Sequence, residues 1–436
     1  MKRVFLRIIS LSLGLSLLAA GFSGCGPAPE PKPQKTTTGF DSFEITYYWG
    51  PQGDSLITDK WFWEAAAEAG FTSVPLENAS TEANKTALGL LRECGLTCSA
   101  LWDSRILKTL SRSYTDEETE AIVREVVEDY ADYLDVIKGW WLRDEPSAAQ
   151  FKKLGALVAA IKKVDPERNT FIDLFPTYAN AESQLKADDY QNYVDRFMVE
   201  TVPQYISYDH YHFRINNKAK KGFYTNFEII RKAALDAGID YMMIDLLTKY
   251  GDKNIADVTR TQLLWEVNMC LLYGAKRISH FTYFVNQAMV NEGWNNACVN
   301  DRHEKYPHFE DAKVVNTYAL PLGRELFNKK SEAVFHLVSD PATLEEGCTA
   351  YESYGALGKV TGDDFAISFF SDGCFMVMNR QFLDGETNTI VMNGVAAGLE
   401  YFDTATASWK PFETKNADGA YTHTFAAAEA LLFRVK

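Results

Sequence analysis

The chain of 436 residues is short of positive charge, of clustered cysteines and of long apolar runs, and each shortage removes a class of function. Only 44 Lys and Arg stand against 59 Asp and Glu, a formal net charge of -15. An acidic surface repels phosphate backbones, so nucleic acid is not an expected partner. None of the seven cysteines falls in a metal-ligand spacing, so neither a metal centre nor a cofactor is expected from them. Cys94 and Cys98 read as buried small apolar residues rather than a disulfide. No Gly-rich phosphate loop follows the first predicted strand, which argues against a dinucleotide fold. The one long apolar run, 8–20, is too short to cross a bilayer as a stable helix.

That run fits export instead. Lys2, Arg3 and Arg7 precede it and Phe22-Ser23-Gly24-Cys25 closes it, the pattern of a signal peptide over 1–24. The closing residues resemble a bacterial lipobox, which implies cleavage before Cys25 and a lipid on its thiol. A plain secretory signal with an incidental cysteine is the alternative. The Pro/Lys-rich stretch within 25–40 reads as a flexible tether, so the expected location is the bacterial cell envelope, anchored to the outer membrane, cell surface or periplasmic face.

From residue 41 the sequence repeats one unit: an apolar strand, a polar loop and an amphipathic helix. Strands are predicted over 43–48, 73–76, 97–102, 136–142, 170–175, 205–211, 241–246 and 277–281. Helix patterns lie between them, many stopped by a glycine such as Gly70, Gly95, Gly238 or Gly274, where a left-handed cap suits glycine. Eight such units predict a TIM (β/α)8 barrel over 41–330, with a doubly wound sheet as the alternative. Alternating short runs split by Asp-Gly, Asn-Gly and Ala-Gly turns predict a small all-β sandwich over 331–436.

In such a barrel the loops at the C-terminal strand ends hold the ligand. Tyr48 and Trp49 end the first strand, Glu77 the second, and Trp102 and Asp103 the third. Asp144 and Glu145 end the fourth, Asp209, Tyr211 and His212 the sixth, Asp245 the seventh, and His280 and Tyr283 the eighth. Aromatic faces stack on the C-H faces of sugar rings and carboxylates take hydroxyls, so the set points to carbohydrate.

Gly139-Trp140-Trp141-Leu142-Arg143-Asp144-Glu145-Pro146 resembles the large clan of retaining glycoside hydrolases built on (β/α)8 barrels, in which Asn-Glu-Pro ends the fourth strand. Asp replaces Asn here. Tyr208-Asp209-His210-Tyr211, the stretch 272–278 and the run 306–326 are similar to further parts of that clan's barrel. The resemblance implies that Glu145 is the acid/base residue; a helix N-terminal carboxylate without catalytic use is its bland alternative. The clan's nucleophile is a Glu on strand seven, where this chain offers only Asp245. Asp245 is therefore the expected second catalytic residue, with Glu77, Asp103 and Asp209 as substitutes. The other residues named at the strand ends are expected to bind substrate. The expected activity is hydrolysis of a glycosidic bond in a poly- or oligosaccharide. A catalytically silent glycan-binding lipoprotein is one rival. A metal-dependent hydrolase using Asp209, His210 and His212 is another, weakened because alternation puts Asp209 on the face opposite the two histidines.

Overall fold

The computed structural model describes residues 39–251, 254–395 and 397–436; the predicted signal peptide, almost all of the tether and Cys25 lie outside the described residues. Eight parallel strands form one sheet: β1 (Glu44–Tyr47), β2 (Ser73–Leu76), β3 (Thr97–Leu101), β4 (Gly139–Asp144), β5 (Asn169–Leu174), β6 (Tyr205–Asp209), β7 (Asp240–Leu246) and β8 (Arg277–Phe281). They neighbour one another in chain order from β2 to β8, and β8 pairs with β1. β1 returns alongside β2, where Thr72 N donates to Ile45 O at 2.9 Å and Gln52 bridges Glu77. No strand order reverses, as a doubly wound sheet requires, and the fold is a (β/α)8 barrel.

Strand alternation divides the side chains between two cores. Tyr48, Ala100, Phe171, Tyr205, Met242, Ile244 and Phe281 fill the barrel interior. Ile45, Val74, Ile172, Ile206, Tyr241 and Met243 belong to the larger core under the helices. The N-terminal end is closed by an ion pair between Glu44 and Arg277, both buried, with the Phe40 ring 4.1 Å from the Arg277 guanidinium carbon. β4 begins later than the sequence pattern predicts. Val136 and Ile137 are buried, yet their amides donate back to Tyr133 O in a turn and only Ile137 bridges to β3.

From Ser331 the strands are antiparallel. Ser331–Leu337, Phe365–Phe370, Phe375–Asn379, Ala430–Val435, Leu399–Asp403 and Ser408–Phe412 form one sheet in that spatial order. Val360–Thr361, Thr387–Met392 and Tyr421–Ala426 form a second. Phe365, Ile367, Phe375, Ile390, Phe425 and Phe433 make the core of this β-domain. The alternate residues Ala366, Phe370, Met376, Met378 and Leu432 point the other way, into the barrel's helical core. Helix Arg260–Tyr273 lies at that junction and is buried on almost every side, which explains why its sequence lacks a polar face. Its Trp265 Nε1 donates to Arg380 O at 2.7 Å and its Asn268 Nδ2 to Ala428 O at 2.9 Å. Glu345, from the β-domain, caps helix Phe223–Ala237: its carboxylate accepts from Gly222 N, Tyr224 N and Thr225 N at 2.7, 2.8 and 3.1 Å. The six cysteines among the described residues are free.

Candidate active site

A cavity of about 780 Å³ opens at the C-terminal ends of the barrel strands. Five carboxylates line it, Glu292 from the rim and four from three adjacent strands: Asp144 and Glu145 from β4, Asp173 from β5 and Asp209 from β6. Asp173 and Asp209 point inward because they share the alternation of Phe171 and Tyr205. In β4 a bulge at Leu142 shifts the register between Trp141 and Arg143, which turns Asp144 to the cavity. Glu145 follows with φ at 41°, in the left-handed region, and its amide donates to Asp173 O at 3.0 Å. Trp49, also on the cavity wall, has φ at 69°. Non-glycine residues held there cost roughly 1–3 kcal/mol each and gather at functional sites.

The electrostatics follow from crowding. Burial raises the Asp173 pKa, and the nearby Asp144 and Glu145 charges add to it, against a Ser207 hydroxyl that donates to Oδ1 at 2.5 Å. Burial likewise raises Asp209, reinforced by Asp173, Glu145 and Asp144; its Oδ1 has no hydrogen-bond partner among the described residues. Asp144 is raised by burial, partly offset by the Tyr48 hydroxyl and the Arg143 charge. Around the carboxylates stand Tyr48, Trp49, Tyr178, Tyr211, Phe281 and Trp294. Phe281 joins two of them, with ring centroids 5.4 Å from Tyr211 and 5.0 Å from Trp294.

Of the residues singled out from the sequence, Tyr48, Trp49, Asp144, Glu145, Asp209 and Tyr211 line this cavity. Asp245 does not, which corrects its expected catalytic role. It alternates with the inward Met242 and Ile244, faces the helices with Tyr241 and Met243, is fully buried, and meets His280 Nδ1 at 2.6 Å. His280 is corrected for the same reason: its Nε2 lies 2.9 Å from Asn316 Oδ1, and Asn316 Nδ2 donates to Ala69 O. Asp103 is a helix cap, accepting from Arg105 N at 2.9 Å and pairing with its guanidinium. His212 stacks on Trp265 at 4.9 Å, and Tyr283 stacks on Tyr47 while its hydroxyl donates to Phe62 O. Trp102 is half-buried away from the cavity. Glu77 is buried behind the wall; burial and the Asp144 charge push its pKa up to about 8 against the Gly50 amide, which lowers it.

The sequence pattern offers no pointer to Arg214, Lys220 and Trp294; Tyr178 and Phe281 lie at the fifth and eighth strand ends but are not among the expected site residues, nor is Asp173. Asp173 had a signal: it is the one charge inside the apolar run Phe171-Ile172-Asp173-Leu174-Phe175. Metal-capable side chains do meet elsewhere: Glu228, His336 and Cys348 bring one ligand atom each within 4.8 Å of one another. The Tyr273 hydroxyl lies 3.0 Å from His336 Nε2 in that group, and burial with the Arg380 charge pushes the His336 pKa down to about 3. A positive charge alongside disfavours a cation there.

No family model and no curated protein matches the sequence. Among solved structures the chain is similar to a family 39 glycoside hydrolase from Bacteroides cellulosilyticus WH2, with 11% identity and a TM-score of 0.51 over 91% of this chain and 81% of that one. It is also similar to a β-galactosidase from Bacillus circulans sp. alkalophilus, with 10% identity and a TM-score of 0.49 over 67% and 58% of the two chains. A family 51 α-L-arabinofuranosidase from Bifidobacterium longum shares 12% identity and a TM-score of 0.45 over 91% and 95%. At this identity the likeness is one of fold: a (β/α)8 barrel followed by a β-domain.

Proposed function

We propose that the barrel hydrolyses a glycosidic bond in a poly- or oligosaccharide, using two of the cavity's carboxylates. The observation that carries the reading is the convergence of Asp144, Glu145, Asp173 and Asp209 in one cavity walled by aromatic rings. Crowded carboxylates cannot all ionise, and unequal environments split them into an acid and a base. Asp209 lines the cavity, and burial with three like charges raises its pKa, so it is assigned the donor to the leaving oxygen. Glu145 is half-buried at the end of β4, on a strained backbone, and attacks the anomeric carbon or activates water. The donor role thus passes from Glu145, as read from the sequence, to Asp209, and the second role passes from Asp245 to Glu145.

A glycan-binding barrel without turnover is the second reading. One observation favours it: β7 offers Met242 and Ile244 to the interior, with no carboxylate where the resembling clan carries its nucleophile.

Turnover by Asp209→Asn and Glu145→Gln separates these readings. Both substitutions should lower hydrolysis of an unactivated glycan by about 10²-fold or more. Asp209→Asn should still cleave an aryl glycoside with a good leaving group, and Glu145→Gln should not. The reverse pattern returns the donor role to Glu145. A parent chain that binds glycans and releases no product from any of them supports the silent barrel. From the N-terminal segment we also infer residence at the cell envelope through a lipid on Cys25.

A further inference from the structure

The carboxylates share their cavity with two cations that form no ion pair among the described residues. Arg214 and Lys220 come from the short hairpin after β6, in which Phe213–Arg214 pairs with Lys218–Ala219. The Arg214 guanidinium carbon lies 5.7 Å from the Tyr178 ring centroid and Lys220 Nζ 4.8 Å from it, so one ring holds both heads at the wall. Among the described residues neither cation has an acidic oxygen within 4.0 Å. Elsewhere the chain pairs its cations heavily; Arg105 alone meets Asp103, Glu125 and Asp129. In a protein with 59 acidic residues against 44 basic ones, two half-buried cations held on a ring at the wall of a cavity, with no ion pair among the described residues, suit an anion from outside.

We propose that Arg214 and Lys220 form a subsite for an anionic substituent of the saccharide, the carboxylate of a uronic acid or a sulfate ester. The inference rests on the cavity being a saccharide site. Its polarity orients the ligand. The carboxylates repel an anion, so the charged substituent goes to the hairpin wall and the glycosidic oxygen is left facing Asp209 and Glu145. Arg214 supplies a planar fork that can meet two oxygens at once, and Lys220 a second point charge.

The test is binding of the full chain to an array of neutral, uronate-containing and sulfated oligosaccharides, alongside an Arg214→Gln/Lys220→Gln variant with an unchanged circular dichroism spectrum. The expected result is retention confined to anionic glycans, weakened at least about tenfold in the variant and weakened by added salt. Chemical reduction of the carboxyl groups, or desulfation, of a bound glycan then tells which anion is held. Equal binding of neutral glycans, anionic binding that survives the double substitution, or no binding across the array overturns the subsite. Binding is read without turnover, so the two ideas fail separately. Anion-dependent binding without any product keeps the subsite and sinks hydrolysis. A neutral glycan cleaved equally by parent and variant does the opposite.

Discussion

His280 and Asp245 form a buried pair on the outer face of the barrel, Nδ1 to Oδ1 at 2.6 Å, with neither side chain reaching the cavity. The Asn316 amide donates to Ala69 O, which fixes its Oδ1 as the acceptor for His280 Nε2. Both ring nitrogens therefore face acceptors. Burial opposes charge on the ring, but Asp245 and Asn316 together push the His280 pKa up. The pair ties β7 to β8 and to helix Pro307–Leu326.

Asp245→Asn is accordingly a stability variant. Breaking a buried pair costs about 3–5 kcal/mol, so the melting temperature should fall by several degrees while kcat below melting stays within about twofold of the parent. The sign with pH follows from the raised pKa. The pair's contribution is fully present below the ordinary histidine value of about 6.5 and is lost as pH rises through the folded value. The gap in melting temperature between parent and variant should be wider at pH 6 than at pH 9; a collapse of kcat with an unchanged melting temperature returns Asp245 to catalysis.

Activity should fall on the alkaline side as Asp209 loses its proton, at a pH above the ordinary carboxylate range because burial and like charges raise that pKa. Asp173→Asn removes the like charge that raises Asp209 most, so this alkaline limb should move to lower pH. A limb of kcat/KM that stays in place in Asp173→Asn argues against Asp209 as the donor.

Glu77 reports on stability in the opposite sense to an ion-paired carboxylate. Its folded pKa, about 8, lies above the unfolded value, so its favourable contribution is complete below about 4.5 and is lost as pH rises through 8. Glu77→Gln cannot ionise. Between pH 5 and pH 9 the parent should lose on the order of a few kcal/mol more stability than this variant, measured by denaturant titration.

The Glu345 cap on helix Phe223–Ala237 should be worth about 1–2 kcal/mol, and Glu345→Ala should lower the melting temperature accordingly. Glu345→Gln, which keeps an acceptor oxygen but no charge, should fall between the two.

Cys25→Ala tests the anchor. The chain should then accumulate as a precursor or leave the membrane fraction in cell fractionation. Unchanged fractionation of the variant removes the lipid from the account.

The barrel was legible because its strands are apolar runs buried on both faces and its helices stop at glycines; β2 and β8 match their predicted bounds. The β-domain was less so. Ser331–Leu337 mixes exposed and buried residues without strict alternation, and Ser408–Phe412 carries Lys410 and Pro411, so both strands escaped the pattern. In the site, nearness to a strand end misled where facing decides. Asp245 and Asp209 both close apolar strands, yet counting alternate residues from Met242 and from Tyr205 sends one outward and the other inward. Arg214 and Lys220 lie six residues apart in a loop, and only the hairpin's fold brings both to Tyr178.

The strand Ala430–Val435 sits between Phe375–Asn379 and Leu399–Asp403, and its Leu432 side chain enters the core shared with the barrel's helices. That segment is synthesised after everything it packs against. The barrel's helix Arg260–Tyr273 therefore stays partly uncovered through the making of more than 150 further residues. Folding of the barrel's helical layer thus waits on the last strand of the β-domain rather than proceeding unit by unit.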